Sequence, residues 1–213
     1  MIRFITFEGG DGTGKTTQLK ALESHLTARG KSCIVTREPG ATSLGKLIRQ
    51  ILLEVREQTI ASPTELFLYL ADRAQHIREI VGPAIEQGKI VLCDRYTDST
   101  LAYQGYGRGI DHGLLRRLND MASQGIRPDL TFLFDCPVEL GLSRTAQRQF
   151  QTAPGGKRED RFEREKIEFH ERVRADFLAL ARAEPDRFWV IDASRSVEEI
   201  SEEIKTVVDR KLA

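Results

Sequence analysis

Residues 2–16 read Ile2-Arg3-Phe4-Ile5-Thr6-Phe7-Glu8-Gly9-Gly10-Asp11-Gly12-Thr13-Gly14-Lys15-Thr16. Residues 2–7 are apolar and β-branched, the pattern of a strand covered on both faces. Residues 15–29 carry Leu19, Leu22 and Leu26 at helical spacing and stop at Gly30, a residue suited to a helix C-terminus. Between strand and helix, residues 9–16 fit the pattern G-x-x-x-x-G-K-[ST], in the context that gives that pattern its chemistry. The glycines let backbone N–H groups turn inward around phosphate oxygens. Lys15 can reach the β- and γ-phosphates of a nucleotide, and the Thr16 hydroxyl can ligate Mg²⁺. The helix N-terminus adds the positive end of its dipole. The ATP-binding set read here is Gly9, Gly10, Asp11, Gly12, Thr13, Gly14, Lys15, Thr16 and Thr17.

Working outward, short β-rich runs alternate with longer helical patterns. Strands are expected at residues 2–7, 32–36, 89–93, 129–135 and 188–191. Helices are expected at 15–29, 44–55, 63–87 (kinked at Pro83), 111–124, 138–147, 162–183 and 197–210. Strands joined by helical crossovers imply an α/β fold, a five-stranded parallel sheet with helices on both faces. The 213 residues suffice for one such domain, with no linker and no internal repeat. The 32 Lys and Arg balance 32 Asp and Glu, which argues against a general nucleic-acid or membrane-surface binder. No segment has the length of apolar sequence that a membrane span needs, and no leader is read at the N-terminus. Cys33, Cys93 and Cys136 are isolated from one another and read as buried hydrophobes in a reducing, cytoplasmic setting. No zinc-ligand spacing occurs. His25, His76, His112 and His170 lack clustered partners and read as structural or exposed.

Two further stretches bear on chemistry. In Val91-Leu92-Cys93-Asp94-Arg95-Tyr96 a carboxylate closes an apolar strand, where a phosphate-loop enzyme places its second metal-side residue. Asp94 therefore joins Thr16 as a metal candidate, and Arg95 brings a guanidinium to the same place. Thr36-Arg37-Glu38-Pro39-Gly40 follows the second strand, so Arg37 leaves a strand end beside the same crevice. A second anion site there suits a phosphorylated acceptor.

Taken together these residues resemble the thymidylate (dTMP) kinase family of phosphate-loop nucleoside-monophosphate kinases. The resemblance runs over nearly the whole chain. It is carried by Phe7-Glu8-Gly9 with the phosphate loop, Thr36 to Gly40, Tyr69 to Arg73, Asp94-Arg95-Tyr96 with Ser99, Tyr103-Gln104-Gly105 and Arg127-Pro128-Asp129. Departures are Ala41 where many members have glycine, Tyr69 where the family usually has Phe, and a longer loop at 150–157. The resemblance implies ATP-dependent phosphorylation of dTMP to dTDP, with Mg²⁺ as cofactor and ATP and dTMP as the partners. It implies a homodimer, for which the apolar face of Leu47, Ile48, Ile51 and Leu52 could serve, although the same pattern more often means ordinary core against the sheet. Tyr69 would stack on thymine. Arg73 would reach the base or its phosphate, Ser99, Thr100, Tyr103 and Gln104 would line base and sugar, and Arg37 and Arg95 would hold the acceptor phosphate. Asp11 would order metal-bound water or the acceptor, and Glu8 is a weaker candidate.

Two anions must approach each other, so placement of cations is the central problem of the reaction. None of Gly10, Asp11, Gly12 and Thr13 is basic, and a supplementary cation must come from elsewhere. The Arg-rich segment 144–164, containing Pro154-Gly155-Gly156, is read as a lid that brings in arginines, in the order Arg161, Arg148, Arg158, Arg144. The catalytic set is thus Lys15, Arg95, Arg161, Arg148 and Asp11. The crevice is expected to be strongly cationic, with the balancing acids on helix faces elsewhere. Another nucleoside-monophosphate or deoxynucleoside kinase on the same scaffold and a nucleotide-hydrolysing switch protein are the competing readings. A nucleoside kinase has no use for Arg37 and Arg95, and the switch protein would need an Asn-Lys-x-Asp guanine motif, which is not found.

Overall fold

A computed structural model of the chain describes residues 2–54, 59–152, 161–162 and 165–212, with backbone only at 148–152. The strands are β1 Phe4–Gly9, β2 Cys33–Arg37, β3 Ile90–Asp94, β4 Leu130–Asp135 and β5 Phe188–Asp192. All pair in parallel, in the order β2-β3-β1-β4-β5. The helices are α1 Lys15–Ala28, α2 Ser43–Leu53, α3 Ser62–His76, α4 Gly82–Glu86, α5 Thr97–Thr100, α6 His112–Ser123, α7 Val138–Thr152, α8 Ile167–Ala183 and α9 Val197–Leu212.

Alternation along the strands sorts the core into layers. From β1, Ile5 and Phe7 point into one layer with Leu19, Leu22 and Leu26 of α1 and Ile200, Ile204 and Val208 of α9. Phe4 points to the opposite face, against Val91, Cys93 and Tyr96. On that side Leu133 and Phe188 meet Leu66 and Leu70 of α3, Leu115 of α6, and Val173 and Phe177 of α8. Each fully buried Phe or Leu contributes about 1.5–3 kcal/mol. These layers place the C-terminal ends of β1, β2 and β3 side by side at one edge of the sheet, where ligand crevices form in such folds.

Four elements differ most from the sequence expectation, and one of them is α7, which runs to Thr152 where a helix was expected to end at 147. The helix expected over 63–87 divides into α3, a π-helical turn Ile77–Val81 and α4. Pro83 has no N–H and its ring crowds the carbonyl four residues back. The ladder accommodates it by widening one step earlier, where the Gly82 N–H reaches Ile77 O. Residues assigned no element in the sequence form α5 and a second π-helical segment, Leu101–Gly107. The expected helix 162–183 starts only at Ile167, and Phe162 is buried outside it.

Candidate active site

The phosphate loop links β1 to α1, and its backbone leaves no room for side chains at Gly9 and Gly12. Both have positive φ (127° and 71°). A Cβ on Gly9 would meet Phe134 O at 2.3 Å, and one on Gly12 would meet Gly141 O of α7 at 2.0 Å. Inside the loop Lys15 Nζ donates to Gly9 O at 3.1 Å and Gly10 O at 2.5 Å. Burial and the neighbouring Arg95 cation pull its pKa down to about 8, against the opposing pull of Asp94 and Asp11. Thr16 Oγ1 donates to Asp94 Oδ2 at 2.9 Å, so the two residues expected to face the metal are in contact. Asp94 closes β3 in register with Arg37 at the end of β2. A cavity of about 410 Å³ runs over this loop, lined by Asp11 through Thr17, Arg37, Glu38, Arg49, Asp94, Arg95 and Arg144.

A second cavity of about 90 Å³ adjoins it. Tyr69 and Arg73 come from α3, Ser99 and Thr100 from α5, and Tyr103 and Gln104 from the π-helical segment after α5. Asp11, Glu38, Arg49 and Arg95 line both cavities. The structure therefore brings together the two groups of residues that the sequence assigned to nucleotide and to acceptor.

Arg95 stands at the junction. It adopts φ 68°, a left-handed conformation that costs a non-glycine residue about 1–2 kcal/mol. That turn aims Nη1 at Gly9 O (2.9 Å) and Ser99 Oγ (3.2 Å), and Nη2 at Asp11 Oδ1 (2.5 Å). Its guanidinium also lies 5.1 Å from the Tyr103 ring centroid. For Asp11, burial alone would raise the pKa, but Arg95 and Lys15 outweigh it and hold the carboxyl below its ordinary range. Glu8, next to the loop, is fully buried and accepts from Ser99 Oγ (2.6 Å) and Tyr96 N (2.7 Å). Burial and the Asp98 carboxylate push its pKa up to about 7.

Arg73 is almost wholly buried and held on several sides. It donates to Glu38 Oε2 (2.8 Å), Thr100 Oγ1 (3.0 Å), Asn119 Oδ1 (2.5 Å) and Tyr96 O (3.0 Å). Glu38 Oε1 in turn meets His76 Nδ1 at 2.8 Å, and His76 Nε2 lies 2.6 Å from Thr36 Oγ1. His76 is thus a partner in the network, which its isolation in the sequence concealed. The expected segregation of charge fails: Glu8, Asp11, Glu38, Glu65 and Asp72 are at the crevice or buried just behind it, and several pair with its arginines. Glu8, Asp11, Glu38 and Asp72 lie in stretches that the sequence had singled out, whereas Glu65 carried no such signal.

The lid arginines fall in different places. Arg161 Nε donates to Leu52 O at the end of α2 (2.7 Å), and its Nη2 pairs with Glu65. It thereby docks the segment before α8 onto α2 and α3 and does not line the phosphate cavity. Arg144, ranked last in sequence, does line it, with Nη1 on Ala193 O at 2.7 Å. Arg148 lies on α7. Arg158 and the Pro154-Gly155-Gly156 stretch lie outside the described residues. Phe162, which the sequence placed in a helix, lines the acceptor cavity with its ring 5.6 Å from Tyr103 in an edge-on arrangement.

Comparison with known proteins agrees with this geometry. A family model described as thymidylate kinase matches residues 7–204. A thymidylate kinase of Desulfovibrio desulfuricans is 50% identical over 209 residues, covering 98% of this chain and 96% of the relative. One from Pelobacter propionicus is 54% identical over 201 residues, covering 94% and 91%. Among solved structures, thymidylate kinase from Ehrlichia chaffeensis superposes with a TM-score of 0.75 at 35% identity, over 97% of this chain and 98% of that one. With two adjoining cavities that share Arg95 and relatives matched along nearly their full length, this chain belongs to the thymidylate kinase family.

Proposed function

We propose that the chain phosphorylates dTMP to dTDP with ATP, using the larger cavity for the ATP phosphates and the smaller one for dTMP. The observation that carries this assignment is the shared wall of Asp11 and Arg95, where a donor phosphate on Lys15 and an acceptor phosphate on Arg95 meet. Loop N–H groups and Lys15 hold the donor. On binding, Lys15 exchanges its contacts with Gly9 O and Gly10 O for phosphate oxygens, which favour its charged form. Arg95 holds the acceptor phosphate, and Arg37, which lines only the larger cavity, faces it from the donor side; together they offset the repulsion between the two anions. Tyr69 stacks on the base, Tyr103 crowds the sugar, and Arg73, Ser99, Thr100 and Gln104 complete the wall. Asp11 fixes the direction of the Arg95 fork through Nη2.

Thr16 and Asp94 present a hydroxyl and a carboxylate 2.9 Å apart, a hard oxygen pair suited to Mg²⁺, which takes few protein ligands and completes its shell with phosphate and water. Bound there, the ion would neutralise charge on the β- and γ-phosphate oxygens. Arg144 is the lid-root arginine best placed to add a cation over the donor phosphates.

Two further readings belong here. Leu44, Leu47 and Ile51 of α2 and Phe67 of α3 are exposed, whereas Ile48 and Leu52 of the same expected face are buried. A homodimer packed through α2 and α3 accounts for the exposed set, and sedimentation equilibrium tests it. Among the described residues no helix is long and apolar enough to cross a membrane, in keeping with a cytoplasmic enzyme. The reaction itself is tested by ADP release from Mg-ATP with dTMP, dUMP, dCMP, dGMP and dAMP. Strong stimulation by dTMP is expected, and turnover indifferent to any monophosphate would refute the assignment.

A further inference from the structure

Gln104 lines the acceptor cavity, yet one edge of its amide is already committed. Its Nε2 donates to Glu65 Oε1 at 2.7 Å in the fully buried layer between α3 and the π-helical segment. Glu65 also faces the Arg108 guanidinium (Nε at 3.4 Å, Nη2 at 3.3 Å) and pairs with Arg161 Nη2. A carboxylate held between two guanidinium groups only accepts hydrogen bonds. The Gln104 amide can therefore turn just one way. Its NH₂ must lie toward Glu65, because the opposite flip would set a carbonyl oxygen against a carboxylate oxygen at hydrogen-bond distance with no proton between them.

We infer that Glu65 is a positioning residue for base choice: by fixing the Gln104 amide it presents a carbonyl acceptor, flanked by the second Nε2 hydrogen, to the base in the acceptor cavity. This rests on the monophosphate reading given above. With Oε1 set against the ring N3, the pattern suits a pyrimidine imide, whose N3–H donates and whose neighbouring C=O accepts, as in thymine and uracil. Cytosine presents the inverse pattern, a bare N3 and an amino group. Accepting it in the same place would need the amide flip that Glu65 forbids. A site built to pair with an N–H rejects an analogue lacking it because its own buried polar group is left unsatisfied. The two other ligands of Glu65, Arg108 and Arg161, hold the carboxylate in place and take no part in the reading.

The test compares kcat/KM for dUMP with that for dCMP, two acceptors of matched size that both lack the 5-methyl group. In Glu65→Gln the new amide can pair with Gln104 in either orientation. The dUMP-to-dCMP ratio should then fall about tenfold or more, with the dCMP value rising. Arg108→Met, which removes a partner of Glu65 but leaves its carboxylate, should keep the ratio. Because Glu65→Gln strands two guanidinium groups, the double variant Glu65→Gln/Arg108→Met serves where the single one does not fold, and the same fall is expected. A folded Glu65 variant with the parental ratio overturns the inference, as does a fall of the ratio in Arg108→Met alone. Failure of the underlying reading looks different: the parental enzyme would not be stimulated by dTMP or dUMP at all.

Discussion

Replacing Glu8 by Gln should change how stability depends on pH. Glu8 is fully buried, and its carboxyl, ordinarily near 4.5, titrates at about 7 because burial and Asp98 disfavour the anion. Between those values the folded chain holds a proton that the unfolded chain has released. Stability therefore falls as pH rises through this window and is least affected below the unfolded value. At about 1.4 kcal/mol per unit, a rise from 4.5 to about 7 makes the ionised group cost about 3 kcal/mol above the window. Gln is the matched probe. Its carbonyl can accept from Tyr96 N as Oε1 does now, and its amide can donate to Ser99 Oγ with the hydroxyl turned round. Urea unfolding of both proteins between about pH 5 and about pH 8 reads the contribution of Glu8 together with its coupling to neighbours such as Lys15, since titrations remote from it are shared and cancel. The variant should gain about 2–3 kcal/mol on the parent across that range. A difference that stays flat with pH would refute the reasoning, since it would mean that the native carboxyl titrates as in the unfolded chain.

Arg144→Ala should lower kcat by about 10²-fold or more, whereas Arg161→Ala should act mainly through the docking of the segment before α8, with the smaller effect on kcat. Steady-state kinetics at saturating ATP decide between them, and the opposite order would restore Arg161 as the arginine that reaches the phosphates. Tyr69→Leu removes a ring from the acceptor cavity and should raise KM for dTMP about 2–10-fold with little change in kcat; isothermal titration with dTMP checks the binding term, and an unchanged affinity would count against stacking. Arg73→Met leaves the Glu38 carboxylate without its guanidinium and should destabilise the fold by about 3–5 kcal/mol, read by denaturant unfolding.

The fold was legible because its information is local and periodic. Each strand is a short apolar run, each long helix shows apolar residues at three- and four-residue spacing, and the phosphate loop ties the first strand to the first helix. The segment after Asp94 escaped because Ser99, Thr100, Tyr103 and Gln104 serve a cavity, so their spacing follows the ligand and shows no amphipathic period. Residues named for the site lie around two adjoining cavities, as residue chemistry suggested. Their partners were hidden, because ion pairs between Arg73 and Glu38 or Arg161 and Glu65 join positions 35 and 96 residues apart. No window of sequence contains both members. The same blindness produced the expectation of an uncompensated cationic crevice: net charge gives a sum over the chain, and desolvated arginines need carboxylates within a few ångströms.

The close approach of Gly12 and Gly141 joins the phosphate loop to α7. A Cβ on Gly141 would sit 2.5 Å from Asp11 O, just as one on Gly12 would strike Gly141 O. Thr145 Oγ1, one turn further along α7, bonds back to the same Gly141 carbonyl at 3.1 Å. The first turns of α7 are thereby seated against the phosphate loop, backbone to backbone, and behave as part of the floor. Arg144, one residue before Thr145, stands on that floor, and its Nη1 is tied to Ala193 O at 2.7 Å. Alanine, usually a welcome replacement for a glycine within a helix, would at position 141 wedge the floor apart.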